Sequence, residues 1–279
     1  MINSLFRKLP LFKGKERLAR ILLNESISNK KNFWVKGKYG CEYFLPNAIE
    51  SIGFHIFING IYEEETSSFF WENIPQNGVF LDLGANIGAI AVPLQKKRED
   101  IKVVCVEAAP WIFSYLQKNI ARNDVQQIKA INKVLFYTDN EEVNFYSSDV
   151  KFGTGSLSPV FTDKVVKVNT IRIDTLIAQL GIKKVDMIKI DVEGYESHVF
   201  KGATKLLSEA DAPDILFEFV DWAEEKAKGV DIGDSQKLLR EMGYKLFYFN
   251  GSLKDLKPMN EILTKGFFML FATKRFCKK

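Results

Sequence analysis

Short apolar runs and amphipathic segments alternate along the chain after the turn signal Pro75–Gly78. The main strands predicted from the apolar runs are Val79–Leu83, Val103–Glu107, Ile128–Val134, Val185–Ile190, Ile215–Val220, Tyr244–Phe249 and Phe267–Thr273. The helices predicted between them are Ile87–Lys97, Pro110–Asn123, Asp174–Leu180 and Ser197–Leu207. Strands that alternate with helices in this way predict an α/β fold with a mostly parallel sheet covered on both faces.

The last two predicted strands depart from the alternation. They are joined by residues 250–266, which have no convincing helical pattern, so we predict a hairpin and one antiparallel strand at the edge of the sheet. Right-handed crossovers then restrict the parallel part to a doubly wound sheet. Val143–Tyr146 and Val165–Arg172 are predicted as extra strands on either side of a Gly/Ser-rich loop.

Residues 1–60 are predicted to form a small lead-in of helix and strand that covers the substrate side of a larger domain at residues 61–279. Residues 1–35 look helical, because Leu18, Ile21 and Leu22 recur at helical spacing after a basic stretch. A basic amphipathic helix can lie on a membrane, but we expect this one to pack on its own domain. A second helix is predicted near Glu64–Asn73.

A glycine-containing loop directly follows the first main strand. It reads Asp82-Leu-Gly84-Ala85-Asn86-Ile-Gly88, which differs from the dinucleotide fingerprint in its leading acid and in Asn86. A pyrophosphate site favours N–H donors without a neighbouring anion. An acid at this strand end suits a cationic group such as the ammonium of a methionine moiety. The loop therefore favours S-adenosylmethionine over a nicotinamide cofactor and argues against a dehydrogenase.

The second main strand ends in Glu107, followed by Ala108. An acid at this position hydrogen-bonds ribose hydroxyls in dinucleotide-binding folds. Together, the loop and Glu107 predict a cofactor site made of the following residues: Asp82, Gly84, Ala85, Asn86, Gly88, Glu107 and Ala108. The stretch 132–138 has no readable adenine pattern, so the adenine contacts stay unassigned.

Three segments resemble the FkbM-type methyltransferases: Asp82–Gly88, Glu107–Pro110, and Val185–Glu196 with Gly202-Ala203 after it. The resemblance covers roughly residues 60–220. It implies a Rossmann-like methyltransferase fold and O-methylation of sugars or natural products. It also implies that Asp82, Gly84, Asn86 and Gly88 surround the methionine part of the cofactor and that Glu107 holds the ribose.

Asp191 and Glu193 leave the fourth main strand where ligands bind in open α/β sheets. A hydroxyl acceptor needs a base to remove its proton, so we predict both as catalytic, with Asp191 nearest the transferred methyl group. Glu193 alternatively caps the next helix. Weaker candidates for the acceptor pocket are Ser156 in the Gly/Ser loop, His198 and Glu218.

Metal dependence is not favoured. Asp191, Glu193 and Glu218 offer oxygen ligands that would suit Mg²⁺ or Ca²⁺, but no ligand spacing in the sequence is diagnostic. We therefore predict S-adenosylmethionine as cofactor and no metal.

Composition narrows the acceptor and the location. The formal charge of +4 is mild, and the segment after the fourth strand lacks an Asn-Pro-Pro-Tyr type motif, so a nucleic-acid methyltransferase is the less favoured alternative. A non-catalytic binding module on the same scaffold is a third possibility. We expect a small-molecule or glycan acceptor.

We also expect a cytoplasmic protein. The three cysteines are odd in number and widely spaced, which suggests no disulfide framework. The sequence also shows neither a signal-peptide pattern nor an apolar run of membrane-spanning length. The oligomeric state cannot be read from the sequence.

Overall fold

The computed structural model describes residues 6–7, 14–148, 150–254 and 256–275. Its strands are β1 (Lys31–Lys36), β2 (Glu42–Asn47), β3 (Val79–Leu83), β4 (Lys102–Val106), β5 (Ile128–Ile131), β6 (Val134–Leu135), β7 (Glu142–Ser147), β8 (Gly155–Ser156), β9 (Val165–Ile171), β10 (Met187–Ile190), β11 (Asp214–Val220), β12 (Lys245–Tyr248), β13 (Lys257–Pro258) and β14 (Phe267–Thr273). Its helices are α1 (Lys15–Leu22), α2 (Asn24–Ser28), α3 (Ser51–Asn59), α4 (Glu64–Asn73), α5 (Ala91–Lys97), α6 (Pro110–Asn123), α7 (Ile173–Gln179), α8 (Glu196–Lys201), α9 (Thr204–Ser208), α10 (Asp221–Lys226) and α11 (Asp234–Glu241).

Eight strands form the central sheet in the order β13-β12-β14-β11-β10-β3-β4-β5. The five strands from β5 to β11 are parallel and have the order third, second, first, fourth, fifth that is typical of a doubly wound fold. The predicted Rossmann-like α/β architecture is therefore confirmed. Apolar side chains from the strands and helices pack on both faces of this sheet.

The predicted hairpin is present, but β14 lies inside the sheet rather than at its edge. It pairs antiparallel with β11 on one side and with β12 on the other. The run from Leu270 to Thr273 is fully buried, whereas β12 is half-exposed. A continuous apolar run is typical of a strand with neighbours on both sides, which explains why the more polar β12 is displaced outward.

A second sheet, with the order β6-β9-β7-β8, contains the extra strands that the sequence predicted. The predicted strand Ile128–Val134 is divided between the two sheets as β5 and β6. The division falls at Asn132, whose Nδ2 donates to the carbonyl oxygens of Glu107 at 2.8 Å and Ala108 at 2.9 Å. These bonds turn the chain away from β4 and start the second sheet.

Two predicted helices differ from the observed ones. The helix expected over Ile87–Lys97 begins only at Ala91, because the preceding loop has left-handed backbone conformations at Gly84, Asn86 and Gly88. The helix expected over Ser197–Leu207 is split into α8 and α9. At the split, a Cβ atom on Gly202 would come within 2.2 Å of the Phe136 carbonyl oxygen, so the close approach of another chain segment interrupts the helix.

The lead-in mixes helix and strand. Residues 1–5 and 8–13 of the predicted helical stretch 1–35 lie outside the described residues. At the other end of this stretch the chain begins β1, which pairs antiparallel with β2. The helix α4 is confirmed. The helix α1 packs on the domain through Ala19 and Leu23, whereas Leu18, Ile21 and Leu22, which carry the helical spacing in the sequence, are exposed.

The lead-in shares its core with the central sheet. Its buried residues form one apolar cluster with Ile87, which lies in the glycine-containing loop after β3, and with Ile112 of α6. Two asparagines of α6 also bond to β2: Asn119 Oδ1 accepts from Phe44 N at 2.6 Å, and Asn123 Oδ1 accepts from Glu42 N at 2.8 Å. Among the described helices, none has the length and apolar character needed to cross a membrane.

Candidate functional site

The carboxyl-terminal edge of the central sheet gathers acidic side chains from four adjacent strands. Asp82 belongs to β3 and Glu218 to β11, while Glu107 and Asp191 directly follow β4 and β10. Parallel strands end at the same edge of a sheet, where ligands bind in folds of this type. The structure thus brings together four acids that are separated by up to 136 positions in the chain (218 − 82 = 136).

Glu107 is buried and is held by the backbone. Its Oε2 accepts from Asn86 N at 3.0 Å, and its Oε1 accepts from Ala109 N at 2.8 Å. Burial raises the pKa of Glu107 to about 7, although both amides oppose that rise. A carboxylate has about four lone-pair sites, so each oxygen can still accept from a ligand hydroxyl. Glu107 therefore joins the cofactor loop to the turn after β4 and remains available for a diol.

The cofactor loop packs tightly against its neighbours. Gly84 has a φ of 81°, and a Cβ atom at this position would lie 1.9 Å from the Asp191 carbonyl oxygen. Only glycine allows this contact between the chain ends of β3 and β10. Asn86 Nδ2 donates to the Phe152 carbonyl oxygen at 2.7 Å. The loop is thus tied to the Gly/Ser segment that covers it.

Asp82 differs from Glu107 in its surroundings. It is 1% exposed, and neither side-chain oxygen has a hydrogen-bond partner among the described residues. Burial raises its pKa to about 6, against the attraction of the Lys189 cation and with help from the Asp191 carboxylate. A buried carboxylate whose oxygens accept no hydrogen bond is costly. A cationic ligand group such as an ammonium would satisfy it, so the residue fits the proposed methionine end of the cofactor.

Lys189 is a functional candidate that the sequence reasoning missed. It lies in β10 beside Asp82 in β3, and its Nζ is 3.2 Å from Asp191 Oδ2. Burial alone would lower the pKa of Lys189, but the charges of Asp191, Asp82 and Glu63 together raise it. The sequence did contain an indication of this role. A lysine inside the apolar run 185–190 is expected to be buried, and a buried lysine needs an acidic partner.

Glu63 is a second candidate that was missed. It precedes α4 in a left-handed conformation with a φ of 41°, and its Oε2 is buried without a partner among the described residues. The neighbouring Tyr62 lines the same cavity as Asp82. The left-handed backbone conformation of Glu63 is visible only in the structure, so no sequence pattern identifies this residue.

Glu193 faces the cavity and does not cap the next helix. The N-cap residue of α8 is Tyr195, which makes no side-chain capping bond, and the amide of Val192 is taken by Glu196. Burial raises the pKa of Glu193, and the Asp191 carboxylate adds to the rise. The pKa of Glu218 is raised in the same way. Both carboxyls are therefore prone to stay protonated in the free protein at neutral pH.

Two adjoining cavities lie along this edge. The first extends from Gly84 and Glu107 into an apolar slot, and the second contains Asp82, Lys189 and Glu218. Residues common to both walls are Ile52, Gly84, Asn86, Gly153, Asp191 and Glu193. One elongated ligand can therefore extend from the slot to the acidic end.

The apolar slot was not predicted. Its walls combine α6, the start of the second sheet and the Gly/Ser segment, in the following residues: Ile112, Val134, Leu135, Phe145, Phe152 and Leu157. Lys133 and Ala108 also line it. These residues are distant in sequence and ordinary in type, so no local pattern identifies them. A flat heteroaromatic ring is the kind of group that such a slot accommodates.

Three predicted site residues lie apart from the cavity walls. Ser156 is buried in β8, and its neighbours Gly155 and Leu157 line the cavity instead. Gly88 forms the turn before α5, where its amide donates to Ala85 O at 2.9 Å. His198 lines a neighbouring groove with Lys201 and Lys228.

His198 is largely buried between aromatic rings, and burial lowers its pKa to about 4, with Lys201 adding to the effect. It is therefore neutral at physiological pH.

The other predicted residues line the two cavities: Asp82, Gly84, Ala85, Asn86, Glu107, Ala108, Asp191, Glu193 and Glu218. In the described part of the chain, no group of three or more His, Cys, Asp or Glu side chains has an arrangement that could hold a metal ion.

Comparison with known proteins matches the chain to methyltransferases. A family model described as "Methyltransferase FkbM domain" matches residues 82–246, more than half of the chain. A methyltransferase named sdnD from Sordaria araneosa is 29% identical over 174 residues, covering 51% of this chain and 67% of the relative. The hexuronic acid methyltransferase AglP from Haloferax volcanii is 27% identical over 179 residues, covering 64% of this chain and 68% of the relative.

Solved structures similar to this fold include methyltransferases. A TehB-like S-adenosylmethionine-dependent methyltransferase from Corynebacterium glutamicum has a TM-score of 0.45 at 15% identity, covering 79% of this chain and 93% of that one. An S-adenosylmethionine-dependent O-methyltransferase from Thermotoga maritima has a TM-score of 0.43 at 14% identity, covering 92% and 83%. With TM-scores this low, the strand order and the family match carry the assignment of the fold.

Proposed function

Because the chain belongs to the FkbM methyltransferase family, we propose that it transfers the methyl group of S-adenosylmethionine to a hydroxyl group of a sugar, glycan or other small natural product. The observation that carries the proposal is the buried Asp82 carboxylate, which has no hydrogen-bond partner among the described residues and lies one strand from Glu107. Together these residues suit the ammonium and the ribose of one elongated cofactor.

Different residues along the cavity would bind different parts of the cofactor and of the acceptor. Asp82 would bind the ammonium, Glu107 would accept from the ribose hydroxyls, and the apolar slot would take the adenine. When bound, S-adenosylmethionine supplies an electrophilic methyl group on a cationic sulfur. Asp191 lies where the two cavities meet, so it would orient the acceptor hydroxyl and take its proton while an oxygen–methyl bond replaces the sulfur–methyl bond and S-adenosylhomocysteine leaves.

Lys189 and Glu193 would support Asp191. The Lys189 ammonium holds one carboxylate oxygen of Asp191, which fixes the side chain and leaves the other oxygen for the acceptor. Glu193, with its raised pKa, can donate a hydrogen bond to a second hydroxyl of the acceptor. A polyol satisfies both groups at once, and this supports a sugar acceptor. The hexuronic acid methyltransferase among the relatives supports it too.

Residues 1–60 would form the substrate-side cover, since Glu50 and Ile52 line the cavity. We propose that the acceptor is not a nucleic acid, that the reaction needs no metal, and that it takes place in the cytoplasm.

The first experiment is calorimetry with S-adenosylmethionine and S-adenosylhomocysteine, with NAD as the control ligand. Micromolar binding of both sulfur compounds, lost in Asp82→Ala and Glu107→Ala, is the expected result. A folded protein that binds neither compound would overturn the proposal and favour a non-catalytic scaffold. Methyl transfer is then measured with labelled cofactor and a panel of neutral sugars, uronic acids and amino sugars.

A further inference from the structure

The outer face of α1 carries an apolar strip that no other described segment of the chain covers. Leu18 is 40%, Ile21 66% and Leu22 59% exposed. Their spacing of three and four positions places them on one face of the helix. The buried residues Ala19 and Leu23 anchor the helix to the core, so the strip is held outward by a packed element.

The surroundings of this strip are basic. Arg17 is exposed and lies four positions before Ile21, which makes it a neighbour on the same side of the helix. Arg20 is exposed as well, and the exposed acids of this segment are Glu16 and Glu25. Glu16 is engaged by His55, whose Nε2 lies 3.0 Å from Glu16 Oε1. Lys30 and Lys31 add two more exposed cations after α2.

An apolar strip with a cationic border calls for an occupant that is both apolar and anionic. A second copy of this chain would bring the same cations face to face across a twofold interface, where like charges repel. A bilayer that contains anionic lipids offers acyl chains for the strip and negative headgroups for the border.

We propose that α1 binds the surface of an anionic lipid bilayer, with Leu18, Ile21 and Leu22 entering the boundary between headgroups and acyl chains. Attachment of this kind is reversible and needs no membrane-spanning segment. Resting on the proposed function, this attachment would bring the enzyme to the surface that holds hydroxyl acceptors joined to lipids.

The test is co-sedimentation of the full chain with phosphatidylcholine vesicles that contain or lack phosphatidylglycerol. We expect binding only to the anionic vesicles. The triple variant Leu18→Ser, Ile21→Ser, Leu22→Ser should lower the partition coefficient at least tenfold. Arg17→Gln should lower it about fivefold, the fold-change that corresponds to one basic residue near an anionic surface.

The matched control is the variant Val165→Ser, Phe267→Ser, which removes two equally exposed apolar side chains elsewhere and should bind vesicles like the unaltered chain. Unchanged thermal melting would show that the α1 variants fold. The proposal is overturned if the unaltered chain does not sediment with anionic vesicles, if it binds neutral vesicles equally well, or if the triple variant still binds. A concentration-dependent dimer that the triple variant loses would assign the strip to a second copy instead.

Discussion

Glu107 and Asp82 lie at the ends of neighbouring strands, and both are buried, but they differ in their hydrogen bonds to the rest of the protein. Two backbone amides hold the Glu107 carboxylate in place. The Asp82 carboxylate has no such support among the described residues. The first acid is therefore part of the framework as well as of the proposed site, whereas the second is the acid that we propose binds the ammonium of the ligand. Substitutions should separate these two roles.

The largest effect is expected from Glu107→Ala. The change removes the link between the cofactor loop and the turn after β4, together with the ribose contacts. Each hydrogen bond to a charged group is worth about 1.5–3 kcal/mol. We expect the affinities for S-adenosylhomocysteine and for 5′-methylthioadenosine to fall by at least about 100-fold, and the melting temperature to fall as well. Calorimetry and thermal melting measure the two effects. Unchanged stability would show that the link is dispensable.

Asp82→Asn should act on one ligand only. We expect binding of S-adenosylhomocysteine to weaken by roughly 10–150-fold, which corresponds to one charged hydrogen bond. Binding of 5′-methylthioadenosine, which lacks the amino-acid part, should stay unchanged. The exposed Asp163→Asn is the matched control. An equal loss for both ligands would contradict the assignment of Asp82 to the methionine end.

The same assignment predicts a pH dependence of binding. Asp82 must be ionised to bind an ammonium, and its pKa is raised to about 6 in the free protein. Affinity for S-adenosylhomocysteine should therefore rise as the pH increases from 5 to 7. In Asp82→Asn this part of the rise should be absent. A parallel pH series of both proteins by calorimetry decides the point, and identical profiles would speak against it.

The smallest effect concerns Glu218 in the free protein. Burial and the nearby carboxylates raise the pKa of Glu218 above its unfolded value. The stability linked to its bound proton is fully present below the unfolded pKa of 4.5 and is lost as the pH rises from there through the raised pKa. Glu218→Gln should therefore melt a few degrees higher than the unaltered chain at pH 9 and about equally at pH 4.5. A constant difference at both pH values would exclude this titration as the cause.

The sequence predicted the parts of the molecule that repeat a local pattern. The apolar runs of β3, β4, β10 and β11 and the acids at their ends were all identified from periodicity and strand-end position, and the structure places these acids at one edge. Their catalytic roles stay predictions.

What escaped prediction depends on contacts between distant segments. β14 lies inside the sheet, and the more polar β12 lies outside it. This order depends on which of the two strands is buried by its neighbours. The apolar slot is assembled from α6, β6, β7 and the Gly/Ser segment, none of which is unusual alone. The exposed face of α1 shows that helical spacing identifies an amphipathic helix without saying which apolar side chains turn inward.

The close approach of Gly84 to the Asp191 carbonyl oxygen has an evolutionary consequence. Because the backbones of two adjacent strands touch there, the distance from the cofactor loop to Asp191, the proposed proton acceptor, is set by the sheet. The walls around the acceptor come from other segments, namely the second sheet and residues near Glu50 and Tyr62. Selection can therefore remodel those walls for a new acceptor while the alignment of the reacting groups stays the same.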